Sequence, residues 1–226
     1  MLSLGIKPDR VSLIPNTVDN DWWTSQASRV DREAVRADWG ANPQTSVVLF
    51  CAKLQPWKCP LDLLRAFARA DLHNALLVYA GEGAQHGELE MEARHLGVSS
   101  RVRFLGFVNQ TQLPAIYTAA DLMVLPSEYE PFGPVVKEAS CCGSAVVVSD
   151  HVGAARDLVM SVDPKLVYPC ADVQSLAAVL RELCGDLERL RRLGSAAKER
   201  MANWSQQDTV NASVEAVANA IRHRHR

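Results

Sequence analysis

Four short runs, "SVVLFCA" (46–52), "ALLVYAG" (75–81), "DLMVLPS" (121–127) and "AVVVSD" (145–150), are apolar along almost their whole length. A strand with one wet face alternates apolar and polar residues, because successive side chains point to opposite faces. A strand that is apolar throughout is buried on both faces, the condition of a parallel sheet covered by helices. The stretches between these runs have helical spacing. "PLDLLRAFARA" (60–70) opens on Pro60, a residue suited to a first helical turn, and "GELEMEARHLG" (87–97) closes on Gly97. "NQTQLPAIYTAA" (109–120), "PVVKEASCCG" (134–143), "DVQSLAAVLRELCG" (172–185) and "DLERLRRLGSAAKERMAN" (186–203) read as further helices. Shorter strands are expected at "VSLIP" (11–15), "RVRFLGF" (101–107) and "KLVYP" (165–169). Strands alternating with helices, joined by right-handed crossovers, predict an α/β fold: a Rossmann-like, doubly wound parallel sheet. Residues 19–45, with Trp22, Trp23 and Trp39, read as a loop-and-helix excursion from it.

A chain of 226 residues with 48% hydrophobic content suffices for one large domain of this kind. The net charge of −2, without any block of like charges, gives no electrostatic reason to bind nucleic acid or an anionic membrane. Arg222 to Arg226 read as a short solvated basic tail. The six cysteines form no CxxC pair, which argues for reduced thiols in a cytoplasmic protein. Met1 to Asp9 lacks the apolar core of a signal peptide, and no run reaches the length of a membrane span. Membrane association is therefore expected only through a partner or an acceptor.

In a sheet of this kind ligands bind beyond the carboxyl ends of the strands. The residues placed there are Lys53 and Lys58, Gly81-Glu82-Gly83, Phe107-Val108-Asn109, Ser127 to Gly133, and Asp150-His151. The helix expected from Pro134 would present N–H groups around Phe132, Gly133, Val135 and Val136, which together with its dipole suit an anion. Gly133 allows close approach, and Pro134 supplies no N–H. Glu130 and Glu138 stand on either side of that point, with seven residues between them. They would repel a phosphate unless they accept hydrogen bonds from hydroxyls. A phosphate between two hydroxyl-rich groups describes a nucleotide sugar, with one acid on the sugar and the other on the ribose. Spacing alone leaves simpler roles open: Glu130 as a helix cap, Glu138 as an exposed helical residue, and the two lysines as solvated side chains. "GEGAQHG" is GxGxxxG, after the second long strand, and does not match a nicotinamide fingerprint. No nucleophile–base pair or metal-ligand spacing stands out, so neither a metal nor a cofactor is expected.

Read in order, "IPNTVD" (14–19), "AKLQPWK" (52–58), "VYAGEG" (78–83), "RVRFLGFV" (101–108) and "AADLMVLPSEYEPFGPVVKEASCCG" (119–143) form a recognisable series. Over about residues 13–204 the chain resembles the C-terminal, donor-binding half of retaining GT-B glycosyltransferases, family 4 (glycosyl transferases group 1). Glu130 and Glu138 fall on that family's E-x7-E motif. The resemblance implies a transferase that moves a hexosyl group from a UDP- or GDP-sugar to an acceptor. It places Lys53 and Lys58 on the diphosphate, Glu130 on the transferred sugar and Glu138 on the ribose. Phe132, Gly133, Pro134, Val135 and Gly81 would border the sugar and phosphates, and Phe107 and Val108 the base. It further implies metal-free displacement with retention of configuration. Ala52-Lys53 departs from the commoner Gly-Arg, losing a bidentate fork while keeping the charge. Pro134 replaces an aliphatic residue and removes one backbone donor. The organisation expected is a linker remnant with a first strand (1–20), a nucleotide-sugar-binding domain (21–204) and a C-terminal helix with a basic tail (205–226). An N-terminal GT-B domain, in cis or in trans, would complete the enzyme. The alternatives are a non-catalytic nucleotide-sugar-binding partner or regulatory subunit and, less well matched, a GT-B-like epimerase.

Overall fold

The structure, a computed structural model, describes residues 5–224. Six parallel strands form one sheet: β1 (Ser46–Cys51), β2 (Ala75–Ala80), β3 (Val102–Phe104), β4 (Leu122–Leu125), β5 (Ala145–Ser149) and β6 (Val167–Tyr168). Their order is β3-β2-β1-β4-β5-β6. Every residue of β1, β2, β4 and β5 is buried, as the continuous apolar runs require. The helices are α1 (Asn20–Ala27), α2 (Arg32–Asp38), α3 (Pro60–Ala70), α4 (His86–His95), α5 (Leu113–Ala119), α6 (Pro134–Cys141), α7 (Val173–Cys184), α8 (Leu187–Ala202) and α9 (Gln206–Arg224). α3 packs with α4 and α7, whereas α6 packs with α1, α5 and α8. The buried Tyr79 hydroxyl on β2 donates to the Pro60 carbonyl at 2.8 Å, fixing the start of α3 over the sheet.

Three expectations change. Residues 11–15 form no strand: Leu13 and Ile14 are exposed, and the segment is held by side chains instead. Thr209 donates to the Pro15 carbonyl at 2.8 Å, Trp204 Nε1 to the Asn16 carbonyl at 2.9 Å, and Asn20 Nδ2 to the Met201 carbonyl at 2.8 Å. The chain's entry is thus fastened to the α8–α9 junction. Strand β3 covers only three of the seven residues expected, because the chain turns away at Gly106 in the left-handed conformation. A single π-type turn, Ala155–Val159, follows β5, with no sequence signal to announce it. The basic tail is described only in part, since residues 225–226 lie outside the described residues, as do residues 1–4 of the expected linker.

On α9, Val210, Val214, Val217 and Ile221 are all exposed. Their spacing places them on one helical stripe. Among the described residues no helix is long and apolar enough to cross a membrane.

Candidate functional site

The order in which strands are added reverses between β1 and β4, whose connections leave toward opposite sides, and beyond the carboxyl ends of such a pair an open α/β sheet forms its crevice. Both flanks of the crevice carry charge. After β1 a single turn, Pro56–Lys58, lifts Lys58, and Cys59 (φ 53°) reverses the chain into α3. After β4 the segment 127–133 runs out to α6. The two flanks are joined where the Glu128 amide donates to the Trp57 carbonyl at 2.9 Å. Across the switch point Lys58 Nζ lies 2.5 Å from Glu130 Oε2, with both side chains largely buried.

The other Glu130 oxygen, Oε1, accepts the Gly133 amide at 3.1 Å. Gly133 has φ 61°, a left-handed conformation that glycine adopts without a Cβ penalty, and it caps α6. Burial alone would raise the Glu130 pKa. Hydrogen bonds from Lys58 and the Gly133 amide outweigh it and hold the carboxyl below its ordinary value. The stability that Glu130 contributes is therefore complete above the ordinary carboxylate pKa and is lost as pH falls through the lowered one.

The segment after β5 closes against this loop. The Gly153 amide donates to the Glu130 carbonyl at 2.7 Å, and Glu130 and Val152 form a parallel bridge. A Cβ on Gly153 would come within 1.9 Å of the Pro131 carbonyl oxygen, so only glycine fits there. Gly153→Ala is expected to displace residues 130–131 and to cost about 1–3 kcal/mol, the usual penalty of overpacking. Thermal denaturation checks this, and an unchanged midpoint would contradict it.

Glu138 is the fifth residue of α6, half-buried, and its Oε2 accepts the Tyr117 hydroxyl at 2.9 Å. It is not the exposed helical residue that spacing allowed. Burial pushes its pKa up, opposed by the Tyr117 hydrogen bond and the field of Lys137. A raised folded-state pKa stabilises the fold below the ordinary carboxylate value, and that contribution is lost as pH rises through the raised one. At neutral pH the ionised Glu138 therefore burdens the fold. Glu138→Gln, which keeps an acceptor for Tyr117, is expected to raise the melting temperature at pH 7 and to lose that advantage near pH 4. A lower midpoint at pH 7 would contradict this.

The remaining sequence candidates are placed less tightly. Lys53 is exposed beside the crevice, and its carbonyl accepts the Gln55 amide. The Gly81 amide donates to the Gly106 carbonyl at 2.9 Å, joining the ends of β2 and β3. Phe107 is exposed on the lip beyond β3, whereas Val108 packs partly into the core. Phe132, Pro134 and Val135 surround the α6 start, with Phe132 exposed. His151 Nδ1 lies 3.0 Å from the Glu128 carbonyl. The N–H groups expected to face an anion have partners within the chain: the Gly133 amide donates to Glu130 and the Val136 amide to the Gly133 carbonyl (3.0 Å), so a ligand reaches Gly133 only by displacing Glu130. Two side chains escaped the sequence reading altogether: Tyr117, the partner of Glu138, and Lys137, which is buried.

Comparison with known proteins decides the family. The model of "Glycosyl transferases group 1" matches residues 31–200. The chain belongs to this family. It is 34% identical over 226 residues to a D-inositol 3-phosphate glycosyltransferase of Nocardia farcinica, covering 96% of this chain and 49% of that protein. Among solved structures, Anabaena Alr3699/HepE in complex with UDP superposes with a TM-score of 0.76 at 23% identity, over 98% of this chain and 60% of that one. The C-terminal domain of a glycosyl transferase group 1 family protein (LpcC) from Francisella tularensis gives a TM-score of 0.69 at 20% identity, over 82% of this chain and 97% of that one. The fold is that of the C-terminal half of a GT-B glycosyltransferase. This group 1 chain spans about half the length of the relatives it matches.

Proposed function

We propose that this chain is the donor-binding half of a retaining glycosyltransferase that moves a hexosyl group from a UDP- or GDP-sugar to an acceptor. The observation that carries this reading is the Lys58–Glu130 pair across the sheet's switch point, with Glu138 half-buried on the helix that Glu130 helps to cap. The diphosphate takes Lys58 and the Gly133 amide from Glu130, with Lys53 as a second cation. Glu130, released, accepts hydrogen bonds from the sugar hydroxyls, and Glu138 accepts them from the ribose. Phe107 and Val108 border the base. In the transfer step the bond from the anomeric carbon to the phosphate oxygen breaks. The acceptor oxygen bonds to that carbon on the same face, and its proton passes to the departing phosphate. The two lysines offset the charge that develops there, so no metal enters the scheme.

An N-terminal GT-B domain, in cis or in trans, supplies the acceptor site and the opposite wall of the cleft. The apolar stripe on α9 gives such a body a surface to cover. The six free cysteines suit a reducing, cytoplasmic setting, and a membrane is met only through a partner or acceptor. The reading is tested by titrating UDP, GDP and ADP into the chain by calorimetry. Saturable binding of at least one at millimolar concentration is expected. Glu138→Ala should weaken a ribose-bearing ligand and leave its dideoxy analogue unaffected. Equal loss for both would remove Glu138 from the ribose.

A further inference from the structure

Lys137 takes no part in the transfer step proposed above. It is only 2% exposed, lying between the buried Val136 and the half-buried Glu138 on α6. Its ammonium donates to Asn16 Oδ1 at 2.7 Å and to the Phe132 carbonyl at 3.2 Å, both neutral acceptors. Glu130 and Glu138 act on it through their fields, opposing the burial that lowers its pKa. A buried cation paired only with neutral groups costs more than an aliphatic chain of the same volume, so its presence is not explained by stability.

Its two acceptors show what it holds. The Phe132 carbonyl and the Gly133 amide are the two ends of one planar trans peptide and point in opposite directions. Fixing the oxygen toward Lys137 therefore aims the N–H at Glu130 Oε1, 3.1 Å away. Asn16, the second acceptor, belongs to the entry segment that Trp204 and Thr209 fasten to the α8–α9 junction. A continuous run of hydrogen bonds thus leads from that junction through Asn16, Lys137 and the 132–133 peptide to Glu130 and Lys58.

We propose that Lys137 is a positioning residue that orients the Phe132–Gly133 peptide toward the bound diphosphate and couples that peptide to the entry segment at Asn16. The part that concerns the diphosphate rests on the donor-binding reading above. The coupling itself does not.

Amide hydrogen exchange by NMR, on the full chain and on Lys137→Met, separates the two. Exchange at the Gly133 amide and at the Trp204 indole N–H, which reports the entry segment through the Asn16 carbonyl, should rise together by about tenfold or more, as loss of a charge-assisted hydrogen bond implies, with the amides of β4 and β5 unchanged. Asn16→Ala, which alters only an exposed side chain, should loosen the entry segment, and adding it to Lys137→Met should not increase exchange at Gly133 further. If Lys137→Met does not fold, Asn16→Ala decides: faster exchange at both N–H groups supports the coupling, and no change at Gly133 overturns it. Unchanged exchange at Gly133 in a folded Lys137→Met, or a rise spread evenly over the sheet, also overturns it. In parallel, UDP and uridine are titrated into both proteins. A selective loss of UDP affinity in Lys137→Met, about tenfold, is expected. Equal UDP affinity in the two proteins overturns the positioning role. A wild-type chain that binds no nucleoside diphosphate defeats the donor reading instead, and the exchange data then decide the coupling alone.

Discussion

Asp121→Ala is expected to cost about 3–5 kcal/mol, the penalty of leaving one member of a buried ion pair uncompensated. Asp121 is only 8% exposed at the entrance to β4, on the edge of the sheet away from the candidate site. One of its oxygens accepts from Arg32, and the other accepts Arg36 Nη1 at 2.9 Å and the Val47 amide at 2.8 Å. Arg36 is 3% exposed, and its other donors reach carbonyls of Ala119, Asn42 and Thr45. Removing the carboxylate leaves a guanidinium in the core with only neutral partners and orphans the Val47 amide near the start of β1. In a chain of this size the loss corresponds to about 6–20 °C in melting temperature. Calorimetry on the variant checks this. A shift below about 2 °C would mean that the guanidinium relaxes into solvent. Asp121→Asn, which keeps an acceptor, should lose less.

The second large effect concerns turnover. On the donor-half reading, the isolated chain transfers no sugar at an enzymatic rate, because donor and acceptor meet between two domains and only one wall lies in these 226 residues. Positioning supplies about 7–11 kcal/mol of barrier reduction in well-oriented reactions, and an open half-cleft forfeits most of it. Water reaching the diphosphate also weakens the help given by Lys53 and Lys58. Adding an N-terminal domain of the same family, fused or in trans, should restore transfer, and Glu130→Ala should abolish it again. A radiolabelled donor assay with a broad acceptor panel measures this. Robust transfer by the chain alone would show it to be a complete enzyme.

The sheet was legible because burial on both faces leaves an unmistakable mark, a run such as "SVVLFC" with no polar face to hide. The helices that pack on it were legible from period and punctuation, from Pro60 at the head of α3 to Gly97 just beyond α4. "VSLIP" misled because apolar residues in a short run do not distinguish a strand from a segment held by side-chain anchors, and the anchors Trp204 and Thr209 lie almost two hundred residues away. The ligand-binding edge followed from topology, but the contacts across it did not. Lys58 and Glu130 are 72 residues apart, and Arg36 and Asp121 are 85 apart. Pairing over such separations is set by which strands become neighbours, and no local pattern records it. Lys137 is hidden for a related reason: a lysine on an amphipathic helix ordinarily faces water, and the partner it donates to, Asn16, lies 121 residues away.

On the donor-half reading, Lys58 and Glu130 mark a diphosphate site at the switch point of the sheet. Paired titrations of a nucleoside and its diphosphate into the wild-type chain and into Lys58→Ala test it most directly. The wild type should prefer the diphosphate, and Lys58→Ala should lose about 1.5–3 kcal/mol of diphosphate affinity while nucleoside affinity stays the same. An equal loss for both ligands, or no diphosphate preference in the folded wild type, would contradict it.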